Sequence, residues 1–121
     1  MSCLVLCDDL LFFSRISATA ETLGFSARAA KTMDALKAFA RNEPPTCVII
    51  DLANPTLKLD CLMNDIREVC PHMPRVVAFG AHVDAGLLRA ARAAGCDPVL
   101  PRSKFTSDLP TQLREWLQPI S

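Results

Sequence analysis

The sequence predicts an α/β fold, a doubly wound five-stranded parallel sheet of order 2-1-3-4-5 with helices on both faces. Three observations carry this reading. The apolar runs Leu4-Val5-Leu6-Cys7, Cys47-Val48-Ile49-Ile50 and Arg75 to Phe79 are continuous rather than alternating, as in strands buried on both faces. Between the runs, apolar residues recur every three or four positions, the period of amphipathic helices. Gly, Pro, Asn and Asp mark the junctions, so that five strand–helix pairs follow one another. Right-handed crossovers then leave a three-layer αβα sandwich as the expected topology.

The elements follow in order. Leu4 to Cys7 is the first strand, ended by Asp8 and Asp9. A helix follows with Phe13, Ile16, Ala20 and Leu23 on one face, closed by Gly24. Phe12 and Phe13 are adjacent, so one helix face cannot bury both; one of them is expected to be core and the other to lie over the strand ends or at a contact surface. Phe25 to Ala30 is a short second strand, and Thr32 caps a helix from Met33 to about Asn42 with Leu36 and Phe39 inward. Pro44 and Pro45 mark a loop before the strand Cys47 to Ile50, which ends at Asp51. Asp60 is expected to cap a helix carrying Leu62, Ile66 and Val69, which stops before Pro71. The fourth strand runs from Arg75 to Phe79 and ends at Gly80, where a turn needing positive φ is the plain reason for a glycine. A helix from about Asp84 to Ala94 is closed by Gly95, Val99 and Leu100 form the last strand, and a final helix runs from about Ser107 to Leu117 with Leu109, Leu113, Trp116 and Leu117 inward.

Composition narrows the function classes. The 121 residues suit one domain, residues 1–121, and a hydrophobic share of 50% is ample for its core. Thirteen basic and thirteen acidic residues cancel, and there is no Tyr, so neither a basic stripe nor a stacking platform for nucleic acid is expected. No apolar run approaches the roughly 20 residues that cross a bilayer, and Asp8 and Asp9 interrupt the first apolar stretch where a signal peptide would be unbroken. A cytoplasmic place is expected. Of the six cysteines, Cys3, Cys7 and Cys47 lie in strand patterns and Cys61 and Cys70 flank a helix. No CxxC spacing suggests zinc, and neither a disulfide framework nor a redox role is expected.

In a doubly wound sheet ligands bind beyond the carboxyl ends of the strands, where the strand order reverses between the first and third. Asp8, Asp9 and Asp51 end those two strands and should converge. Asp after a strand is often only a cap or turn residue, but a pair after one strand and a third after its neighbour is a more specific arrangement. Three carboxylates repel one another, and a hard divalent cation such as Mg²⁺ is the natural compensation. His82 falls in a loop at the same end and reads first as a solvated residue, second as a phosphate or metal contact. His72 lies between prolines and reads as loop.

With these motifs in place, the chain resembles the receiver domains of bacterial two-component response regulators, the flavodoxin-like fold exemplified by the chemotaxis receivers. The resemblance spans nearly the whole chain and rests on Leu4-Val5-Leu6-Cys7-Asp8-Asp9, on Val48-Ile49-Ile50-Asp51 and on Val99-Leu100-Pro101-Arg102-Ser103. It implies that Asp8 and Asp9 hold Mg²⁺ together with Asp51, and that Asp51 accepts a phosphoryl group from a histidine kinase or phosphotransfer protein. Three positions depart from the family pattern. Gly80, followed by Ala81, replaces a Ser or Thr, Arg102 replaces a Lys, and Val99 replaces an aromatic switch residue. Arg102 keeps the charge but not the geometry of an ammonium. It reads either as a Lys substitute or as a helix-end cation paired with Asp51.

The resemblance therefore implies an atypical receiver in phosphorelay signalling, not an enzyme, with no effector domain. Its output would pass through protein contacts, and a homodimer or partner would use the helix–strand–helix face at the C-terminal end. The alternative is a docking module that no longer uses phosphorylation. A flavodoxin-type carrier is disfavoured, because the Asp8-Asp9-Leu10-Leu11 loop lacks the Gly, Ser and Thr of a phosphate cradle.

Overall fold

The computed structural model describes residues 2–118. Ten elements alternate: β1 (Ser2–Leu6), α1 (Leu10–Thr22), β2 (Ser26–Ala30), α2 (Met33–Asn42), β3 (Cys47–Asp51), α3 (Leu59–Val69), β4 (Arg75–Gly80), α4 (Ala85–Ala93), β5 (Val99–Pro101) and α5 (Arg102–Leu117). The strands form one parallel sheet in the order β2-β1-β3-β4-β5, as the sequence predicts. Among the described residues no helix is long and apolar enough to cross a membrane.

The continuous apolar runs are explained by two cores, one on each face. Leu4, Leu6, Val48, Ile50, Val76 and Ala78 pack with Leu36, Leu62, Ile66 and Leu88 of α2, α3 and α4. Cys3, Val5, Ile49, Val77 and Phe79, their neighbours in the two-residue alternation, pack with Ile16 of α1 and with Phe105, Leu109, Leu113 and Trp116 of α5. In register, Leu6 lies beside Ile50 and Asp51 beside Phe79, so the carboxyl ends of β1, β3 and β4 emerge together.

Several local expectations hold. Thr32 caps α2 by accepting a hydrogen bond from the Ala35 N–H at 3.2 Å. Gly24 and Gly95 follow α1 and α4 with φ of +82° and +107°. Others are corrected. On α1 the buried aromatic is Phe12, and Phe13 is only partly buried. Asp60 does not cap α3: the cap position is Lys58, without a side-chain hydrogen bond, and Asp60 lies in the first turn, where its charge suits the positive helix end. Asp84 precedes α4 without capping it through its side chain. Gly80 belongs to β4, and its φ is not positive.

The largest difference is α5, which starts at Arg102 rather than near Ser107. Pro110 lies inside the helix, where it removes one hydrogen bond at a cost of about 3 kcal/mol. Phe105 explains why the helix nevertheless extends back past it. It is fully buried and lies one turn before Leu109 and two before Leu113 on the same face, so helical continuity is what places its ring in the core. All six cysteines are free, five of them buried and Cys61 exposed.

Two glycines should respond oppositely to alanine in urea unfolding. Gly95→Ala forces a side chain into a left-handed conformation and should cost about 1–2 kcal/mol. Gly86→Ala lies within α4, with no atom nearer than 4.0 Å to the added Cβ, and should stabilise by about 0.5–1 kcal/mol.

Candidate functional site

The site forms where the chain leaves β1 and β3. After Leu6 the ladder continues for one residue, as the Cys7 N–H donates to the Ala30 carbonyl at 3.0 Å. Cys7 is buried, and burial pushes its thiol pKa up, leaving it a packing residue rather than a nucleophile. Asp8 is exposed. Asp9 is the N-cap of α1, its Oδ1 accepting from the Phe12 N–H at 3.1 Å.

Asp51 is the last residue of β3 and, at 4% exposed, one of two buried polar residues among those described. Its Oδ1 accepts from the Ala53 N–H at 2.9 Å, and Oδ2 has no hydrogen-bond donor among the described residues. Burial raises its pKa above the ordinary carboxyl value. The Ala53 N–H and the Arg102 charge work against that rise, and the like charges of Asp8 and Asp9 add to it. Asp8 and Asp9 follow β1 and Asp51 ends β3, the neighbouring strand, so all three lie at the carboxyl end of the sheet.

The other buried polar residue, Asn54, braces the loop after Asp51. Its Nδ2 donates to the Lys31 carbonyl at 3.0 Å, tying the β3–α3 loop to the β2–α2 loop. Its Oδ1 accepts from the Thr56 N–H at 2.9 Å and the Thr56 hydroxyl at 2.6 Å. In sequence Asn54 marks only a turn before Pro55; its reach across 23 residues has no local signal.

Arg102, the first residue of α5, does not pair with Asp51. Its Nη2 lies 3.4 Å from Oδ2 of Asp9, and its guanidinium carbon lies 4.3 Å from the Phe12 ring centroid. The reason is packing. Phe12, Phe79 and Phe105 form a cluster with centroids 4.6–5.8 Å apart, and the Phe12 face offers the planar guanidinium a stacking surface beside Asp9. Asp9, Phe12 and Arg102, with Leu11, Arg15 and His82, line an open depression of about 750 Å³ between the starts of α1 and α5. His82 therefore faces this depression, whereas His72 lies with Pro71 and Pro74 in a separate one, lined by residues of two other loops.

Gly80 is buried, and a Cβ there would meet Leu52 at 3.4 Å and Leu88 at 3.5 Å, tight to ordinary contact distances. Its backbone does not require glycine, so the missing hydroxyl is a chemical difference rather than a conformational necessity. Val99 is buried in the core formed with α2, α3 and α4, opposite the aromatic cluster.

The three carboxylates suit a hard divalent cation in chemistry, since they offer oxygen donors around a buried acid whose charge is under-compensated. Among the described residues, however, no three His, Cys, Asp or Glu side chains are gathered into a preformed metal cluster. Asp9 is engaged at both oxygens, one by the Phe12 N–H and the other by Arg102.

The raised pKa of Asp51 fixes the sign of a pH effect. A carboxyl that holds its proton more tightly when folded contributes stability that is fully present below the unfolded pKa, near 3.8, and is lost as pH rises through the folded value. Asp51→Asn should therefore raise the urea midpoint at pH 7, and the gain should shrink as pH falls toward 3.8. An equal gain at both pH values would show that ionisation is not its cause.

No protein-family model matches the chain, and no curated protein matches it. Solved structures do. A response regulator from Thermotoga maritima is 22% identical, with 96% of each chain covered and a TM-score of 0.79. A response regulator protein from Burkholderia pseudomallei, solved with a phosphorylated aspartic acid, a calcium ion and citrate, is 19% identical, covering 94% of this chain and 69% of that one at a TM-score of 0.73. The beryllofluoride-activated NtrC4 receiver domain dimer is 19% identical, covering 95% and 98% at a TM-score of 0.75. At these identities the likeness establishes architecture: the chain has the fold of response-regulator receiver domains.

Proposed function

We propose that the chain is an atypical receiver-like signalling module, not an enzyme, in which Asp51 is the phosphoacceptor. The observation that carries this is Asp51 itself, a buried carboxylate at the carboxyl end of β3 with Oδ1 fixed by the Ala53 N–H and Oδ2 without a donor. In the proposed step Oδ2 attacks the phosphorus of a phosphohistidine on a kinase or phosphotransfer protein. The O–P bond forms, the P–N bond breaks with its electron pair going to nitrogen, and a phosphohistidine protonated on its other ring nitrogen leaves as neutral histidine. Mg²⁺, held by Asp8, Asp9 and Asp51, would neutralise charge on the phosphoryl oxygens. This chain's residues position the carboxylate, while Arg102 supplies a second positive charge close by. The phosphorylated aspartate and the divalent ion of the B. pseudomallei structure support the reading by likeness of fold.

Output would pass through protein contacts rather than the hydroxyl-and-aromatic relay, since Gly80 and Val99 supply neither group. Self-association would use the surface of α4, β5 and α5, and the dimeric state of the NtrC4 receiver domain supports self-association in this fold. A second reading, docking without phosphorylation, is favoured by one specific observation. Leu10, Leu11 and Val83 are 60%, 85% and 75% exposed, all beside the carboxyl ends of the strands.

Incubation with acetyl phosphate and Mg²⁺ should add the mass of one phosphoryl group, seen by intact mass spectrometry, and Asp51→Asn should abolish the gain. Absence of any mass gain, with no Mg²⁺-dependent amide shifts, would leave docking as the function.

A further inference from the structure

We infer that Phe12 is a positioning residue that parks Arg102 on Asp9, so that the guanidinium and a divalent cation compete for one carboxylate. The inference rests on the proposed metal role of the acidic residues for the competition, but the parking stands on the metal-free contacts alone.

Phe12 acts on both partners. Its N–H donates to Asp9 Oδ1 at 3.1 Å, and its ring lies 4.3 Å beneath the Arg102 guanidinium carbon. Arg102 completes the triangle through the 3.4 Å contact to Asp9 Oδ2. The ring is itself immobilised, 9% exposed, with its centroid 4.9 Å from Phe79 and 5.8 Å from Phe105. Arg102 is thus held from below by a rigid aromatic face and from the side by a carboxylate whose own position the same residue fixes. An ammonium lacks the planar face for this stacking, which gives the arginine at this position a specific reason.

The consequence follows from charge. A cation entering between Asp8, Asp9 and Asp51 meets Asp9 already neutralised by a tethered cation at high effective concentration. It must displace Arg102 to use that oxygen.

The test is Mg²⁺ titration of the full chain, followed by amide shifts, for wild type, Phe12→Leu, Arg102→Ala and the double variant. Each single variant should bind Mg²⁺ about three- to tenfold more tightly, the size of one cation–π contact with one partly exposed ion pair. The double variant should bind no more tightly than Arg102→Ala, because the ring acts only through the guanidinium. Phe12→Tyr keeps the aromatic face and should retain wild-type affinity. Without metal, the Arg102 Hδ protons should be shifted upfield by the ring, and Phe12→Leu should abolish the shift. An equal effect of Phe12→Leu with and without Arg102 would overturn the inference, reducing Phe12 to a core residue. Missing ring shifts in the wild type would overturn the parking. Ring shifts present with no Mg²⁺ binding by any variant would overturn the competition through the acidic site rather than through the seat.

Discussion

Burial of the central strands on both faces is the constraint on which the rest of the structure depends. Residues 47–50 of β3 are apolar and shielded on one side by α1 and α5 and on the other by α2, α3 and α4. Charged side chains have no place along such a strand, since an unpaired buried charge costs several kcal/mol. They gather where strands end. Parallel order then fixes which ends meet, and the reversal between β1 and β3 places Asp8, Asp9 and Asp51 at the ends of two adjacent strands. The placing of these acidic residues is a by-product of how the sheet hides its apolar faces.

Asp51 lies at the boundary of that core and carries its cost. Burial favours its neutral form, and the neighbouring carboxylates push the same way. The compensation found in the structure is partial and comes from two directions, a backbone N–H fixed by the loop that Asn54 braces and a guanidinium whose own partner is Asp9. A buried carboxyl held in this way costs stability as a structural element, and such perturbed groups cluster at functional sites.

The departures from the receiver pattern form a coherent set. A hydroxyl at Gly80 and an aromatic at Val99 would lie with the α2, α3 and α4 side of the sheet. The aromatic mass of this chain is instead on the other side, in Phe12, Phe79, Phe105 and Trp116, with Arg102 stacked on its edge. Phe79 links the two chemistries, because it pairs in register with Asp51 and packs against both Phe12 and Phe105. Any change at Asp51 is therefore mechanically closer to α1 and α5 than to α4.

The sequence by itself determined the order of elements, the two-sided burial of the sheet and the placing of the three aspartates at the carboxyl ends of β1 and β3. Each follows from local signals: continuous apolar runs, helical periodicity and the residues that end strands. Tertiary structure alone decided that Phe12 rather than Phe13 faces inward, that α5 begins at Arg102, that Gly80 needs no special backbone, and that Asn54 spans two loops. It also decided that Arg102 rests on Phe12 and Asp9 instead of Asp51. These facts depend on groups separated by up to 93 residues, as in the Arg102–Asp9 contact. An arginine can reach several carboxylates equally well, and only the packed aromatic face beside one of them selects its partner.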